Sequence, residues 1–142
     1  MPSQTRAIAV IDLGDFSHPE VQKSASRFAQ RKLGGQPLIV RMARRLSESA
    51  LVDEVYIVGA NIPSSLLTSG IAGVQSLNLP STHVCERLCI AADKSGADWV
   101  VYVPSNRPFV DAALVDQLLA KATKMSECDY VGYACDNGDQ RR

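Results

Sequence analysis

Three stretches of the chain concentrate residue types that do chemistry. Asp12-Leu13-Gly14-Asp15-Phe16 sets two carboxylates three residues apart directly after an apolar run, and a metal ion wants carboxylates. Pro104-Ser105-Asn106-Arg107-Pro108-Phe109-Val110-Asp111 places two prolines, an amide and a cation directly after another apolar run. A rigid strand-to-helix turn with Asp111 as the helix N-cap accounts for those same residues. His83-x-Cys85-x-x-x-Cys89 puts two thiols four residues apart beside an imidazole. Zinc takes such ligands, but the neighbours Val84 and Leu88 place both thiols on an apolar face, where they read as buried and structural.

Other chemistries lack their signatures. There is no G-x-x-x-x-G-K-[ST] loop, and no G-x-G-x-x-G follows the first apolar run. No C-x-x-C pair is present for a zinc ribbon or a dithiol redox centre. With only His18 and His83 available, no Ser/His/Asp order can be assembled. Arg27, Arg31, Lys32, Arg41, Arg44 and Arg45 form a basic stretch, but its one aromatic, Phe28, belongs to the core by periodicity, so base stacking is unsupported. Fifteen basic side chains balance fifteen acidic ones, and no global field draws in nucleic acid or acidic lipid. Asp136-Asn137-Gly138-Asp139 lacks the rest of a metal loop and reads as a hairpin turn.

These residues need a frame. A length of 142 residues fits one domain, expected over 1–142, that needs no disulfide or metal staple. Hydrophobic residues at 46% and charged residues at 21% exclude disorder, collagen and coiled coil as descriptions of the whole. The longest strongly apolar runs span about five residues, against about twenty for a membrane span. Met1 to Arg6 and the five apolar residues after it are too short for a secretory signal, so a cytoplasmic protein with reduced thiols is expected.

Ala7–Ile11, Glu54–Val58, Val74–Leu79 and Trp99–Val103 read as strands closed by Asp, Gly or Pro, with Tyr130–Cys135 as a fifth candidate. Two of them are apolar without alternation, as in strands covered on both faces. Ser17-x-x-Glu20 is a capping box opening a helix that Gly34-Gly35 ends. Pro37 opens a second helix with Leu38, Ile39, Met42, Ala43 and Leu46 inward. A third, from about Thr82 to Ser95, turns Val84, Cys85, Leu88, Cys89 and Ala92 inward and stops at Gly96. A fourth starts at Asp111 and buries Leu114, Val115, Leu118, Leu119 and Ala122. The alternation implies a three-layer α/β fold, a mostly parallel sheet with helices on both faces. Ligands of such sheets bind beyond the carboxyl ends of the strands. Any site should therefore gather from Asp12–Asp15, Gly59–Asn61, Leu79–Thr82 and Pro104–Arg107.

The ordered set of segments resembles one family. Gly34-Gly35-Gln36-Pro37-Leu38-Ile39-Val40-Arg41, then Leu51-Val52-Asp53-Glu54-Val55-Tyr56-Ile57-Val58, is similar to the G-G-K-P-L-I, helix, I-D-E-I-V-V segment of sugar-activating cytidylyltransferases of the acylneuraminate and deoxyoctulosonate types. Val84-Cys85-Glu86-Arg87-Leu88 with Gly96-Ala97-Asp98-Trp99-Val100-Val101 resembles their V-L-E-R-Y … G-A-D-V-V-V. Pro104 to Asp111 stands in place of their T-A-D-C-P-L-I-D. The likeness covers roughly Ala7 to Gly132. It implies the nucleotide-diphospho-sugar transferase fold and transfer of a nucleotidyl group from CTP to a sugar, with Mg²⁺. It places Leu13, Gly14 and Asp15 against the base and phosphates, Ser81 and Arg87 at the border of the nucleotide, and Asn106 at the metal or ribose side. No residue acquires a catalytic role, and homo-oligomers are compatible with all of this.

The departures bear on activity. The family's Gly- and Lys-rich loop after the first strand is replaced by Gly14 to Arg31, which reads as a capped helix. Lys23, Arg27 and Arg31 recur every four residues there, as on a solvated stripe. Asp12 and Asp15 oppose a polyphosphate, each pair costing on the order of 1–4 kcal/mol at about 4 Å. Asn106 takes the position of a metal-binding aspartate and brings no charge. The family also continues well past Arg142, with a second metal-binding acid. The alternative expectation is thus a catalytically degenerate member acting as a binding or assembly module.

Overall fold

The computed structural model describes residues 5–20, 23, 31–62, 73–79, 83–105, 107, 110–125 and 127–132. Four strands form one parallel sheet: β1 (Ala7–Asp15), β4 (Glu54–Ala60), β5 (Val74–Asn78) and β6 (Trp99–Pro104), in the order β5-β4-β1-β6. Two short strands, β2 (Lys32–Leu33) and β3 (Gln36–Pro37), make an antiparallel hairpin. The described helices are α1 (Leu38–Ser47), α2 (Val84–Ser95) and α3 (Ala112–Lys124). The expected α/β class, with a parallel sheet between helical layers, is the one observed.

β1 is central because it is apolar on both faces. Ala7, Ala9, Ile11 and Leu13 face one core with Ile39, Met42 and Leu46 of α1 and Val115 and Leu119 of α3. Ile8 and Val10 face the other, with Tyr56, Val58, Leu77 and Ala91 of α2. The alternation of side chains along a strand sends one set to each layer. Residues Ile8 to Ile11 are wholly buried.

From β1 the chain lays β4 and then β5 on one side and returns to place β6 on the other. The winding direction therefore reverses between β1 and β6, the switch point at which sheets of this kind open a crevice. The registers Asp12↔Val58 and Asp12↔Pro104 bring three strand ends to one level there.

Several expectations shift. β1 continues past Ile11 to Asp15, since Leu13 and Gly14 form a bulge opposite the single residue Gly59, with Gly14 at φ +87°. Gly34 and Gly35, at φ +62° and +82°, are the two-residue turn of the β2–β3 hairpin and not a helix stop. Helical conformation is described at Pro19, Glu20 and Lys23, and the other residues of the expected helix lie outside the described residues. Tyr130 to Gly132 is not strand, and the remainder of that candidate lies outside the described residues, as does Asn137-Gly138. Leu114 is 45% exposed, so α3 buries a narrower stripe of Val115, Leu119 and Ala122. The second helix buries the five expected residues, and Asp111 caps α3 by accepting from the Ala113 N–H at 2.8 Å.

The inward face of α2 differs most. Cys85 and Cys89 are exposed, correcting their reading as buried thiols, while Arg87 and Ala91 are buried. The stripe runs through Val84, Arg87, Leu88, Ala91 and Ser95, a spacing that puts all five on one side of a helix. Gly96 ends the helix at φ +69°, as expected.

The bulge demands a glycine on the neighbouring strand. A Cβ on Gly59 would lie 2.9 Å from the Gly14 carbonyl oxygen and 3.0 Å from the Ile62 side chain. Gly59→Ala should lower stability by about 1–3 kcal/mol through overpacking against backbone. Urea unfolding at neutral pH measures this, with Gly73→Ala in an open turn as the comparison for strain at a positive φ alone.

Candidate functional site at the switch point

The carboxyl ends of the strands are stitched into one rim. Phe16 N–H donates to Ala60 O at 2.8 Å, Leu79 N–H to Gly59 O at 2.8 Å, and Ser105 N–H to Asp12 O at 3.2 Å. The Ile62 N–H donates to Asn78 Oδ1 at 3.0 Å. The described residues of the four loops expected to assemble a site therefore lie along one edge.

At the centre of that edge is a buried ion pair. Asp12 continues the α2-facing side of β1 beyond Val10. Arg87 reaches it from the first turn of α2, with Nε donating to Oδ1 at 2.9 Å and Nη2 to Oδ2 at 3.0 Å. Arg87 is 3% exposed and Asp12 8%. This two-point geometry is the strong form of an arginine–carboxylate contact. Tyr102 of β6 stands beside the pair and is half exposed. Burial, then the charge of Asp12, raises the pKa of its phenol, with Arg87 opposing.

Asp15 occupies the end of the bulge. Its Oδ1 accepts from the Ser17 N–H at 2.9 Å and from Asn61 Nδ2 at 3.1 Å. Its Oδ2 is buried without a hydrogen-bond partner among the described residues, and His18 Nε2 lies 3.7 Å away. Hydrogen bonds from Ser17, then from Asn61, and the nearby His18 hold the carboxyl below its ordinary value, outweighing burial. Asn61 adopts φ +55° to make its contact.

Of the residues singled out from sequence, Gly14, Asp15 and Arg87 lie at this rim. Leu13 is adjacent, but its side chain is in the core, so it can offer a ligand only backbone. Ser81 and Asn106 lie outside the described residues. Sequence reasoning missed that Arg87 and Asp12 bind each other. The available signal was the helical stripe Val84, Leu88, Ala91, which places position 87 inward.

The sheet order, the switch-point crevice and the flanking helices define a fold that recurs among known proteins. The MobA-like NTP transferase domain matches residues 25–141. The chain belongs to that family. The matched region begins after β1, so Asp12 to Asp15 fall outside it. No curated protein matches this domain in sequence. A cytidylyltransferase from Leptospira borgpetersenii serovar Hardjo-bovis (strain JB197) superposes with a TM-score of 0.68 at 14% identity, over 87% of this chain and 51% of that one. CMP:2-keto-3-deoxy-manno-octonic acid synthetase, solved with CTP, gives 0.64 at 20% identity, over 84% and 48%. The 4-diphosphocytidyl-2C-methyl-D-erythritol synthase of Anaerococcus prevotii DSM 20548 gives 0.59 at 15% identity, over 82% and 50%. At these identities the likeness establishes the fold. This NTP-transferase domain spans about half the length of those neighbours. It is an NTP-transferase-like domain with the fold that those cytidylyltransferases share.

Two outcomes follow from the ion pair and from Asp15. Arg87→Met strands a buried carboxylate and should cost about 3–5 kcal/mol, whereas Asp12→Leu with Arg87→Met should recover much of that loss. A double-mutant cycle in urea measures the coupling. Asp15 and Asp116 both have carboxyl values lowered below 3.8 by folding; for Asp116, hydrogen bonds from Ser49, Ala50 and Leu51 overcome the upward push of burial. Their stabilisation is complete above the unfolded value and is lost as pH falls through the lowered folded values. Urea midpoints between about pH 5 and about pH 2 should fall steeply, and less so in Asp15→Asn.

Proposed function

We propose that this domain kept the nucleotidyltransferase fold and lost the reaction, and that it serves as a binding or assembly module. The supporting observation is the closed Asp12–Arg87 pair at the switch point. A triphosphate entering there needs positive charge, and the buried cation at the rim is already spent on Asp12. Turning Arg87 towards phosphate leaves Asp12 buried and unpaired, a cost of about 3–5 kcal/mol.

Mg²⁺, implied by the family likeness, meets the same obstacle. Both Asp12 oxygens accept from the guanidinium, and Asp15 Oδ2 is a single available oxygen. Among the described residues, no three His, Cys, Asp or Glu side chains gather around a point that could hold a metal. The described residues therefore do not fit the ion, and no step is assigned to it.

The competing reading is an enzyme transferring a nucleotidyl group from CTP to a sugar. A sugar hydroxyl would attack the α-phosphate and pyrophosphate would leave, with catalysis by positioning and charge neutralisation. Its support is the resemblance in fold to a synthetase solved with CTP. In that reading Leu13 to Asp15, Ser81, Arg87 and Asn106 border the nucleotide. No helix among the described residues is long and apolar enough to cross a membrane, which suits either reading.

Calorimetric titration with CTP, with and without Mg²⁺, alongside a pyrophosphate-release assay with an acidic sugar, decides between them. The module predicts no saturable Mg²⁺-dependent binding and no pyrophosphate at millimolar CTP. Saturable metal-dependent binding with pyrophosphate release would overturn it.

A further inference from the structure

The outward face of α2 carries two thiols that the rim does not use. Cys85 and Cys89 are both free and exposed, one helical turn apart. Positions i and i+4 share a face, with Cβ atoms about 5–6 Å apart. A disulfide needs Cβ atoms at about 3.5–4.5 Å. The helix therefore holds the thiols too far apart to oxidise to each other without unwinding. One atom bridging two sulfurs at metal–sulfur bonds of about 2.3 Å spans about 4.6 Å, which this spacing accommodates.

The number of ligands selects the ion. No third His, Cys, Asp or Glu among the described residues completes a metal cluster here. Cys128 is only partly exposed, and its Sγ donates to Tyr130 O at 3.1 Å. Zn²⁺ asks for three or four protein ligands, so a two-thiol site does not satisfy it. Soft thiolates favour Cu(I) among biological metals, and a monovalent d¹⁰ ion is satisfied by two sulfurs in a line. We infer that Cys85 and Cys89 form a two-coordinate site for a soft monovalent ion, Cu(I) or its redox-inert analogue Ag⁺. Binding takes up one cation and releases both thiol protons, leaving a bis-thiolate complex of net charge −1, so affinity rises with pH. The site lies on the α2 face opposite Ala91, with Tyr102 of β6 near enough to Cys85 to feel its charge.

The test is a titration of the reduced full chain with Ag⁺, read by native mass spectrometry and by competition with a chromophoric chelator, in a Cys128→Ser/Cys135→Ser background. One equivalent should bind, and Cys85→Ser or Cys89→Ser should each weaken binding by about 100-fold through loss of the second ligand. Asp93 and Lys94 are exposed on the same helix. Cys85→Ser with Asp93→Cys restores the four-residue spacing one turn along and should restore binding. Cys85→Ser with Lys94→Cys keeps two thiols at the wrong spacing and should not. Circular dichroism checks that each variant keeps its helix. Equal affinity in the wild-type pair and the single-thiol variants, or in the Lys94→Cys variant, would overturn the inference.

Discussion

The buried contact between Asp12 and Arg87 ties the first turn of α2 to the end of the central strand. Neither group tolerates burial alone, since an isolated charge in a protein interior costs several kcal/mol. Each is satisfied only if β1 and α2 hold their relative depth. That depth also sets the level at which β6 follows α2, so that Pro104 pairs with Asp12 and Ser105 N–H meets the Asp12 carbonyl. The switch point is thus built around a salt bridge, and the charge that such a crevice would offer a phosphate is internally neutralised.

Around that contact the rim depends on close backbone approach. The Leu13–Gly14 bulge lets β1 extend to Asp15 while pairing continues at Ala60. Only a residue without Cβ fits opposite the Gly14 carbonyl, and position 59 supplies it. Asp15 then fastens the turn at Ser17 and the left-handed Asn61 to the same strand end. These are short, directional contacts in a poorly solvated place, where unmet polar groups are costly.

The opposite edge of the sheet is held by a separate polar set. Arg6 engages Glu54 through its guanidinium, the Ser95 carbonyl through Nε, and Asp98 through its backbone N–H. Asp53 accepts from the Ala7 N–H at 2.9 Å. Asp116 of α3 receives the Ser49 hydroxyl and the N–H groups of Ala50 and Leu51, which closes the turn after α1. Apolar burial on both faces supplies the bulk of the driving force, and these end contacts set the registers.

The apolar runs, the prolines and glycines that close them and the Asp111 cap made four strands, α1, α3 and the parallel α/β class legible from the chain alone. These are local properties, governed by side-chain periodicity and backbone freedom within a few residues. The order β5-β4-β1-β6, the bulge and the rotation of α2 were decided by tertiary contacts. Arg87 shows why. A guanidinium scores as a surface group and a thiol as a core group, so the stripe through Cys85 and Cys89 looked inward. Once folding set a carboxylate 75 residues away at the end of β1, burying the arginine became favourable and the cysteines turned to water. A pairing between distant residues has no local signature, because it exists only where the sheet brings them together.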